Sequence, residues 1–323
     1  AVAQVAELGG VYLVSGVLVL FNAAVAFTLG RYLDWTAWRR YRPHAELFMG
    51  LAVLAFCTVW GRARFQAVGA LGGNGLVGLV QPAVPQTVKW EADTAHETAA
   101  RLEALTFEAR ETGLALAGKR PDLTIWPETA VPGDLARDEA VQARMAALAE
   151  ACGPLLVGAL WEDEAGQLFN RSVLIGTNGL PARFYDKQHL VPFGEYLPLD
   201  KRFPALQALS PLGLSLTPGR EATVFRLPDG RLPFSVTICF EDLFPALSRA
   251  FVRRGARLLI NQSNDAWFDG TAEQRQHLNL SRLRCIENRV PGVRVSNSGL
   301  SACIEPNGRV YHLGLSRAPD GDG

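Results

Sequence analysis

Cys239 ends Val236-Thr237-Ile238, a β-branched apolar run that reads as a buried strand, and the residues after Asp242 read as a helix. A thiol at a strand-to-helix turn lies beside N–H groups without partners inside the helix. Such groups favour a thiolate and can receive an oxyanion. Most cysteines of this kind simply pack as small hydrophobes, so Cys239 alone does not define a nucleophile. Two other strand ends change the balance. Asp122-Leu123-Thr124-Ile125-Trp126-Pro127 is an apolar strand that breaks at Pro and then presents Glu128. A carboxylate desolvated beside Trp and Pro can act as a base near neutral pH. Phe184-Tyr185-Asp186 delivers Lys187, and Glu195 follows in the same stretch. Each charge alone suits a solvated surface. Together, Glu, Lys and Cys at three strand ends supply a proton acceptor, a cation for an oxyanion and a nucleophile, the groups that acyl transfer through a thioester requires.

The elements that must hold these residues follow from periodicity and punctuation. Strands are expected at Leu76–Gln81, Asp122–Glu128, Leu155–Trp161, Phe169–Gly176, Ala182–Lys187, Leu232–Ile238, Arg257–Gln262 and Val293–Ser296. Ser301–Glu305 and Val310–Leu313 form a last hairpin through Asn307-Gly308. Asn178-Gly179 and Asp229-Gly230 signal two more hairpin turns. Helices are expected at Trp90–Leu116, Arg137–Cys152, Phe244–Arg254 and Ala272–Asn288. Strands alternating with helices give a mixed α/β sandwich, and no internal repeat is visible. Tyr196–Gly219 is irregular and apolar, which fits either a loop folded onto the domain or a lid that touches lipid.

Before this lies a membrane region, residues 1–66. Leu8–Leu29 carries no charged side chain and is long enough to span a bilayer. Glu7 precedes it and no Lys or Arg does, the wrong flank for a signal peptide. Leu47–Gly61 is a second, shorter apolar run, and the two candidate spans are placed at about 8–29 and 46–61. Arg31, Arg39, Arg40 and Arg42 face only Asp34 in the linker, which places the linker in the cytoplasm and the remainder, residues 67–318, on the outer side. Trp35, Trp38 and Tyr41 suit interfacial anchors. Lys+Arg and Asp+Glu both total 32, so charge offers no argument for nucleic acid. Five cysteines without a CxxC pair suggest neither a zinc site nor a disulfide framework. The chain starts at Ala1 and is read as a fragment with a short tail, residues 319–323.

The phrases Trp126-Pro127-Glu128-Thr129, Tyr185-Asp186-Lys187, His189-Leu190-Val191-Pro192-Phe193-Gly194-Glu195-Tyr196, Ile238-Cys239-Phe240-Glu241 and Ser263-Asn264-Asp265-Ala266-Trp267-Phe268 resemble the nitrilase (carbon–nitrogen hydrolase) superfamily. Within it the likeness is to the apolipoprotein N-acyltransferase family, from about Gln4 to about Leu313. The resemblance implies a four-layer αββα sandwich preceded by transmembrane helices, in a multi-pass protein of the bacterial inner membrane with its catalytic domain on the periplasmic side. It implies a Glu128–Lys187–Cys239 triad, with Lys187 and the Phe240 N–H holding the oxyanion. Glu195 and Glu241 would orient Lys187 or the incoming amine, and Trp90, Asn170 and Trp267 would lie against substrate. The implied donor is a phospholipid, the acceptor is the α-amino group of a diacylglyceryl-cysteine apolipoprotein, and no metal or organic cofactor is implied. Phe240 stands where the family often has Tyr, and Asp269-Gly270-Thr271-Ala272-Glu273 departs from the family pattern after Trp267-Phe268. His189 and His277 receive no role. A membrane-tethered amidohydrolase and a non-catalytic membrane scaffold are the alternative readings.

Overall fold

The computed structural model describes residues 1–33, 44–68, 75–85, 92–198, 215–227 and 229–316. Five strands, β1 (Val77–Leu79), β2 (Leu123–Ile125), β3 (Leu155–Glu162), β4 (Leu168–Ile175) and β5 (Pro181–Asp186), lie side by side in chain order. β6 (Phe234–Ile238), β7 (Leu258–Ser263), β8 (Gly292–Ser296), β9 (Gly299–Ile304) and β10 (Val310–Ser316) form a second sheet, again in chain order. In each sheet the first three strands are parallel and the last two antiparallel. The architecture therefore repeats although the sequence shows no repeat.

Alternating side chains decide how the layers stack. Leu123, Ile125, Leu156 and Leu174 point from the first sheet into one core with Phe234, Val236, Ile238, Ile260, Val293 and Val295 of the second. The opposite face of the first sheet sends Leu155, Val157, Val173 and Ile175 towards α3 (Ala92–Ala117) and α4 (Glu139–Cys152), where they meet Leu102, Met145 and Leu148. Leu300, Ala302 and Ile304 cover the outer face of the second sheet together with Leu278 and Cys285 of α6 (Glu273–Asn288). Each large aliphatic buried in this way contributes about 1.5–3 kcal/mol. The order is helix, sheet, sheet, helix, the expected αββα sandwich.

The structure refines several boundaries. α4 begins at Glu139 because Asp138 caps it, accepting from Ala140 N and Val141 N at 2.9 and 3.3 Å. β2 is shorter than expected because Pro127 has no N–H to continue the ladder, while Trp126 N still donates to Leu156 O at 2.9 Å and its buried ring donates through Nε1 to Thr106 Oγ1 of α3, also at 2.9 Å. The hairpin arm before β6 reduces to one bridge, Phe225 to Phe234, with the two rings stacked 5.0 Å apart. α5 (Pro245–Arg253) starts just after a 3₁₀ turn, Cys239–Leu243, that the sequence reading did not anticipate.

Two helices precede the sandwich, α1 (Ala6–Leu33) and α2 (Ala45–Ala67), and both are long and apolar enough to cross a membrane. α2 extends beyond the expected run. Its 23 residues give about 35 Å at 1.5 Å per residue, against a hydrocarbon core of about 30 Å. Leu18, Val19, Phe27, Phe48, Phe56 and Val59 lie exposed along the two helices. α1 does not run straight through its first turns. Gly9 and Gly10 break it, Gly10 with φ +69°, and the helix restarts at Val11, whose N–H donates to Glu287 Oε1 at 2.7 Å. Only glycine takes that conformation at little cost. The arginine-rich linker and the anchors Trp35, Trp38 and Tyr41 lie outside the described residues, except Arg31, which pairs with Glu46 at 2.6 Å.

The loop carrying Glu128 lies directly across β3. Ala130 N and Val131 N both donate to Gly158 O, at 2.8 and 3.0 Å. A Cβ on Gly158 would overlap Pro127 O and stand 2.6 Å from Thr129 N and 2.9 Å from Glu128 Cα. Backbone, not a flexible side chain, would have to move. Gly158→Ala is therefore expected to cost about 1–3 kcal/mol of stability. Denaturant unfolding in detergent checks this, and an unchanged midpoint would contradict it.

Candidate active site

Glu128, Lys187 and Cys239 follow β2, β5 and β6, and the fold gathers the ends of those strands at one edge of the sandwich. The register between β4 and β5 sets Lys187 beside Asn170, with Lys187 N donating to Asn170 O at 2.9 Å. Lys187 is 1% exposed and its Nζ donates to Glu128 Oε1 at 3.1 Å and to Glu195 Oε1 at 2.9 Å. Burial acts to lower the pKa of the ammonium. Against burial, the Glu128 and Glu195 carboxylates raise the Lys187 pKa, so it stays charged. Glu195 is held in turn by Val191 N, which donates to its Oε2 at 2.9 Å.

Cys239 is half-buried and opens the 3₁₀ turn with φ +55°, a left-handed conformation. For a non-glycine residue that costs about 1–3 kcal/mol and persists only where the surroundings impose it. The expectation that the site favours a thiolate does not hold at rest. Burial first, then the Glu128 carboxylate, push the thiol pKa upward, and Lys187 opposes them without prevailing. The resting group is the thiol, standing beside a carboxylate.

Two expected roles change. Glu241 is fully buried and makes no hydrogen bond or ion pair to Lys187 among the described contacts. Its Oε1 accepts from Gln188 N at 2.7 Å and His189 N at 3.0 Å, its Oε2 from Ile238 N at 2.8 Å, and Tyr185 Oη donates to it at 2.9 Å. It therefore fastens the end of β5 to the end of β6, which sets where Lys187 and Cys239 lie, and an incoming amine cannot reach it. Asn170, expected against substrate, is 3% exposed and its Nδ2 donates to Glu128 Oε1 at 2.8 Å and Glu195 Oε1 at 3.0 Å. Both bonds fix carboxylates and leave no donor for a substrate.

Phe240 lies with its ring centroid 5.4 Å from Lys187 Nζ. Trp267 sits on a 3₁₀ turn, Asp265–Phe268, and is 61% exposed, so its ring is available to a ligand. Trp90 lies outside the described residues, as do residues 199–214 of the apolar loop. Where that loop returns, Leu216 N donates to Glu195 O and Gly219 N to Lys187 O, both at 2.8 Å. His189 stacks on Phe244 at 4.0 Å between centroids and supports the turn by packing.

The sequence reading missed a buried polar cluster beneath Cys239. Asn261 Nδ2 donates to Cys239 O at 2.9 Å. His277 Nε2 lies 3.1 Å from Cys239 O and 2.9 Å from Asp242 Oδ1, and Ser281 Oγ also donates to Asp242. Arg294 donates to Asn261 Oδ1, and its Nη2 lies 2.6 Å from Asp265 Oδ2 and 2.9 Å from His277 Nδ1. Asp265, Glu273 and His277 are close enough to hold a metal ion, but the Arg294 guanidinium already stands beside Asp265 and His277 as the cation. The available signal was the spacing Glu273, His277, Ser281, which puts the three on one face of a helix. Burial and Arg294 would lower the His277 pKa, yet Asp242 and Asp265 outweigh them and raise it from 6.5 to about 9. A raised folded-state value means that this stabilisation is complete below about pH 6.5 and fades as pH rises through about 9. In thermal unfolding across that window, the advantage of the parent over His277→Gln should shrink with rising pH, and a constant difference would contradict it.

Comparison with known proteins follows the same lines. A protein named apolipoprotein N-acyltransferase from Geobacter metallireducens is 33% identical over 313 residues, covering 95% of this chain and 58% of the relative. One of the same name from Brucella melitensis is 32% identical over 271 residues, covering 82% of this chain and 50% of the relative. The chain spans about half the length of these curated relatives. Among solved structures, Saccharomyces cerevisiae Nit3, a member of branch 10 of the nitrilase superfamily, superposes with TM-score 0.56 at 18% identity, covering 75% of this chain and 86% of its own. A carbon-nitrogen hydrolase from Helicobacter pylori superposes with TM-score 0.57 at 16% identity, with the same coverage of 75% and 86%. Both share the fold. Residues 76–318, well over half of the chain, match the carbon-nitrogen hydrolase family, and with the αββα sandwich and its cluster of strand-end residues the chain belongs to that family.

Proposed function

We propose that this chain is the catalytic part of an N-acyltransferase that moves an acyl chain from a phospholipid to the N-terminal amine of an apolipoprotein. The reading rests first on one observation: a buried Lys187 bonded to Glu128 and Glu195, with both Lys187 and Glu128 acting electrostatically on the Cys239 thiol. The relatives named apolipoprotein N-acyltransferase supply the transferred group and the acceptor class, and the phospholipid donor is part of the proposal. Two features suit a lipid. α1 and α2 carry exposed apolar side chains. A cleft of about 350 Å³ reaches Glu128 and is walled by Val84, Ala95, Ala130, Val131 and Leu160, a lining that fits a hydrocarbon chain. In this reading residues 1–66 span the membrane twice and residues 67–318 act at its outer, periplasmic face.

The chemistry follows from the groups present. Glu128 takes the proton of the Cys239 thiol as sulfur attacks the ester carbonyl of the phospholipid. The oxygen that gains charge is met by Lys187 Nζ and the Phe240 N–H. Collapse breaks the carbon–oxygen bond, and Glu128 returns the proton to the departing lysophospholipid alcohol. An acyl-thioester remains on Cys239. The neutral amine of the acceptor then attacks it, Glu128 takes the amine proton, and the amide leaves as sulfur regains a proton from Glu128. Glu195 and Asn170 hold Lys187 and Glu128 in register, and Trp267 borders the substrate. Starting from a thiol rather than a thiolate makes Glu128 indispensable to the first step.

Intact mass after incubation with a phospholipid of defined acyl chains tests the first half-reaction. One acyl increment is expected on the parent, absent from Cys239→Ala and removed by hydroxylamine. Lys187→Met should slow adduct formation about 10²–10³-fold and Glu128→Gln about 10²–10⁴-fold. Transfer from the isolated adduct to a lipopeptide amine, faster than hydrolysis, is the expected second step. An adduct lost to water alone would point to a tethered hydrolase, and no adduct with an unreactive Cys239 would overturn the catalytic reading.

A further inference from the structure

The peptide joining Cys239 to Phe240 is gripped from one side. Its carbonyl oxygen accepts from Asn261 Nδ2 at 2.9 Å and lies 3.1 Å from His277 Nε2. That ring nitrogen also faces Asp242 Oδ1 at 2.9 Å, and since both neighbours are acceptors it must carry a hydrogen. The opposite ring nitrogen faces Arg294, Asp265 and Glu273, so any gain or loss of a proton occurs there and leaves the Nε2–H in place. Asn261 is fixed by Thr237 Oγ1 at 3.1 Å and by Arg294. Both donors are buried, Asn261 on β7 and His277 on α6, so they have little freedom to follow a moving carbonyl.

A trans peptide is planar, and its C=O and N–H point in opposite directions. Pinning Cys239 O against Asn261 and His277 therefore turns the Phe240 N–H away from that pair. We propose that Asn261 and His277 are positioning residues for the oxyanion site, acting by clamping the Cys239–Phe240 peptide so that the Phe240 N–H meets the charge formed on an acyl group at Cys239. The inference rests on Cys239 being the acylated nucleophile. It also accounts for the left-handed backbone at Cys239, which two long-range side-chain bonds hold in place.

Acylation and alkylation of the same sulfur separate this role from simple support of the fold. Attack on an ester develops an oxyanion, and displacement of iodide from iodoacetamide does not. The whole chain in detergent is compared with Asn261→Asp, His277→Asn and His277→Gln. The burst of 4-nitrophenol from a fatty-acid 4-nitrophenyl ester reports acylation, intact mass after iodoacetamide reports alkylation, and thermal unfolding reports the fold. Asn261→Asp and His277→Asn should slow the burst roughly 10–100-fold, the size of effect expected when one oxyanion donor is misplaced. Alkylation should stay within about threefold of the parent, well inside the burst effect of a lost donor. His277→Gln, whose amide nitrogen can reach the Nε2 position, should recover most of the burst. Burst and alkylation falling together, or a burst that only tracks the unfolding temperature across the three variants, would overturn the proposal. An unchanged burst in Asn261→Asp and His277→Asn would overturn it as well. A parent that alkylates but gives no burst fails differently, because it removes the acyl-thioester reading itself.

Discussion

A lysine ammonium with almost no contact with water is the constraint on which this site depends. Lys187 can remain charged at 1% exposure only because Glu128 and Glu195 share its charge. Removing either partner from a buried pair leaves a charge that costs several kcal/mol. The carboxylates are themselves fixed, Glu195 by the Val191 N–H and both by the Asn170 amide. The cluster is thus closed on itself, with Glu128 also bordering the apolar cleft. A strongly depressed thiol pKa would have given a resting thiolate. Burial and the Glu128 carboxylate instead push the thiol pKa upward, so in the proposed function proton transfer belongs to the attack and not to the resting state.

Holding that cluster requires two sheets to meet without slippage. Glu241 bonds to backbone on both sides of the junction, at Gln188, His189 and Ile238, and takes the Tyr185 hydroxyl as well. Gln262 Nε2 crosses from β7 to the Trp126 carbonyl at 2.6 Å, tying the strand that leads to Glu128 to the sheet that carries Cys239. Gly158 lets the Glu128 loop lie flat on β3. These are polar or steric devices at the sandwich edge, while the apolar core between the sheets supplies the cohesion. The division of labour is physical: dispersion and the hydrophobic effect have no direction, whereas hydrogen bonds fix angles.

α6 links this edge to the apolar helices. Its His277 faces the Cys239 turn, and its Arg284 donates to Asp242 O and Leu243 O at 3.1 and 3.2 Å. At its far end Glu287 caps the restarted helix at Val11, and Arg289 just beyond pairs with Glu7 at 2.7 Å, which also pairs with Arg64 of α2. α6 therefore contacts the Cys239 turn and α1 directly, and Glu7 of α1 carries the connection on to α2. In the proposed function this sets the height of the thiol above the bilayer, where a phospholipid ester would be found.

Much of this was legible in the sequence. Each strand end that delivers Glu128, Lys187 or Cys239 was marked by an apolar or aromatic run, with Pro127 breaking the first, because burial and turn chemistry are local signals. The layered α/β architecture followed from the alternation of those runs with helical stretches. The kink at Gly9-Gly10 escaped because composition there is uniformly apolar, and the break is stabilised by Glu287, distant in sequence. The true position of Glu241 escaped for the same reason: a carboxylate inside a motif reads as chemistry, and only the packed sheets show four donors converging on it. Asn261, His277 and Arg294 come from three elements and carry no joint spacing, so the meeting of Asn261 and His277 at the Cys239 carbonyl, with Arg294 bonded behind both, is a property of the tertiary structure alone. Sequence by itself determined which residues could react and which elements would carry them. The fold decided their charge states and orientations, because those depend on burial and on long-range partners that no local pattern encodes.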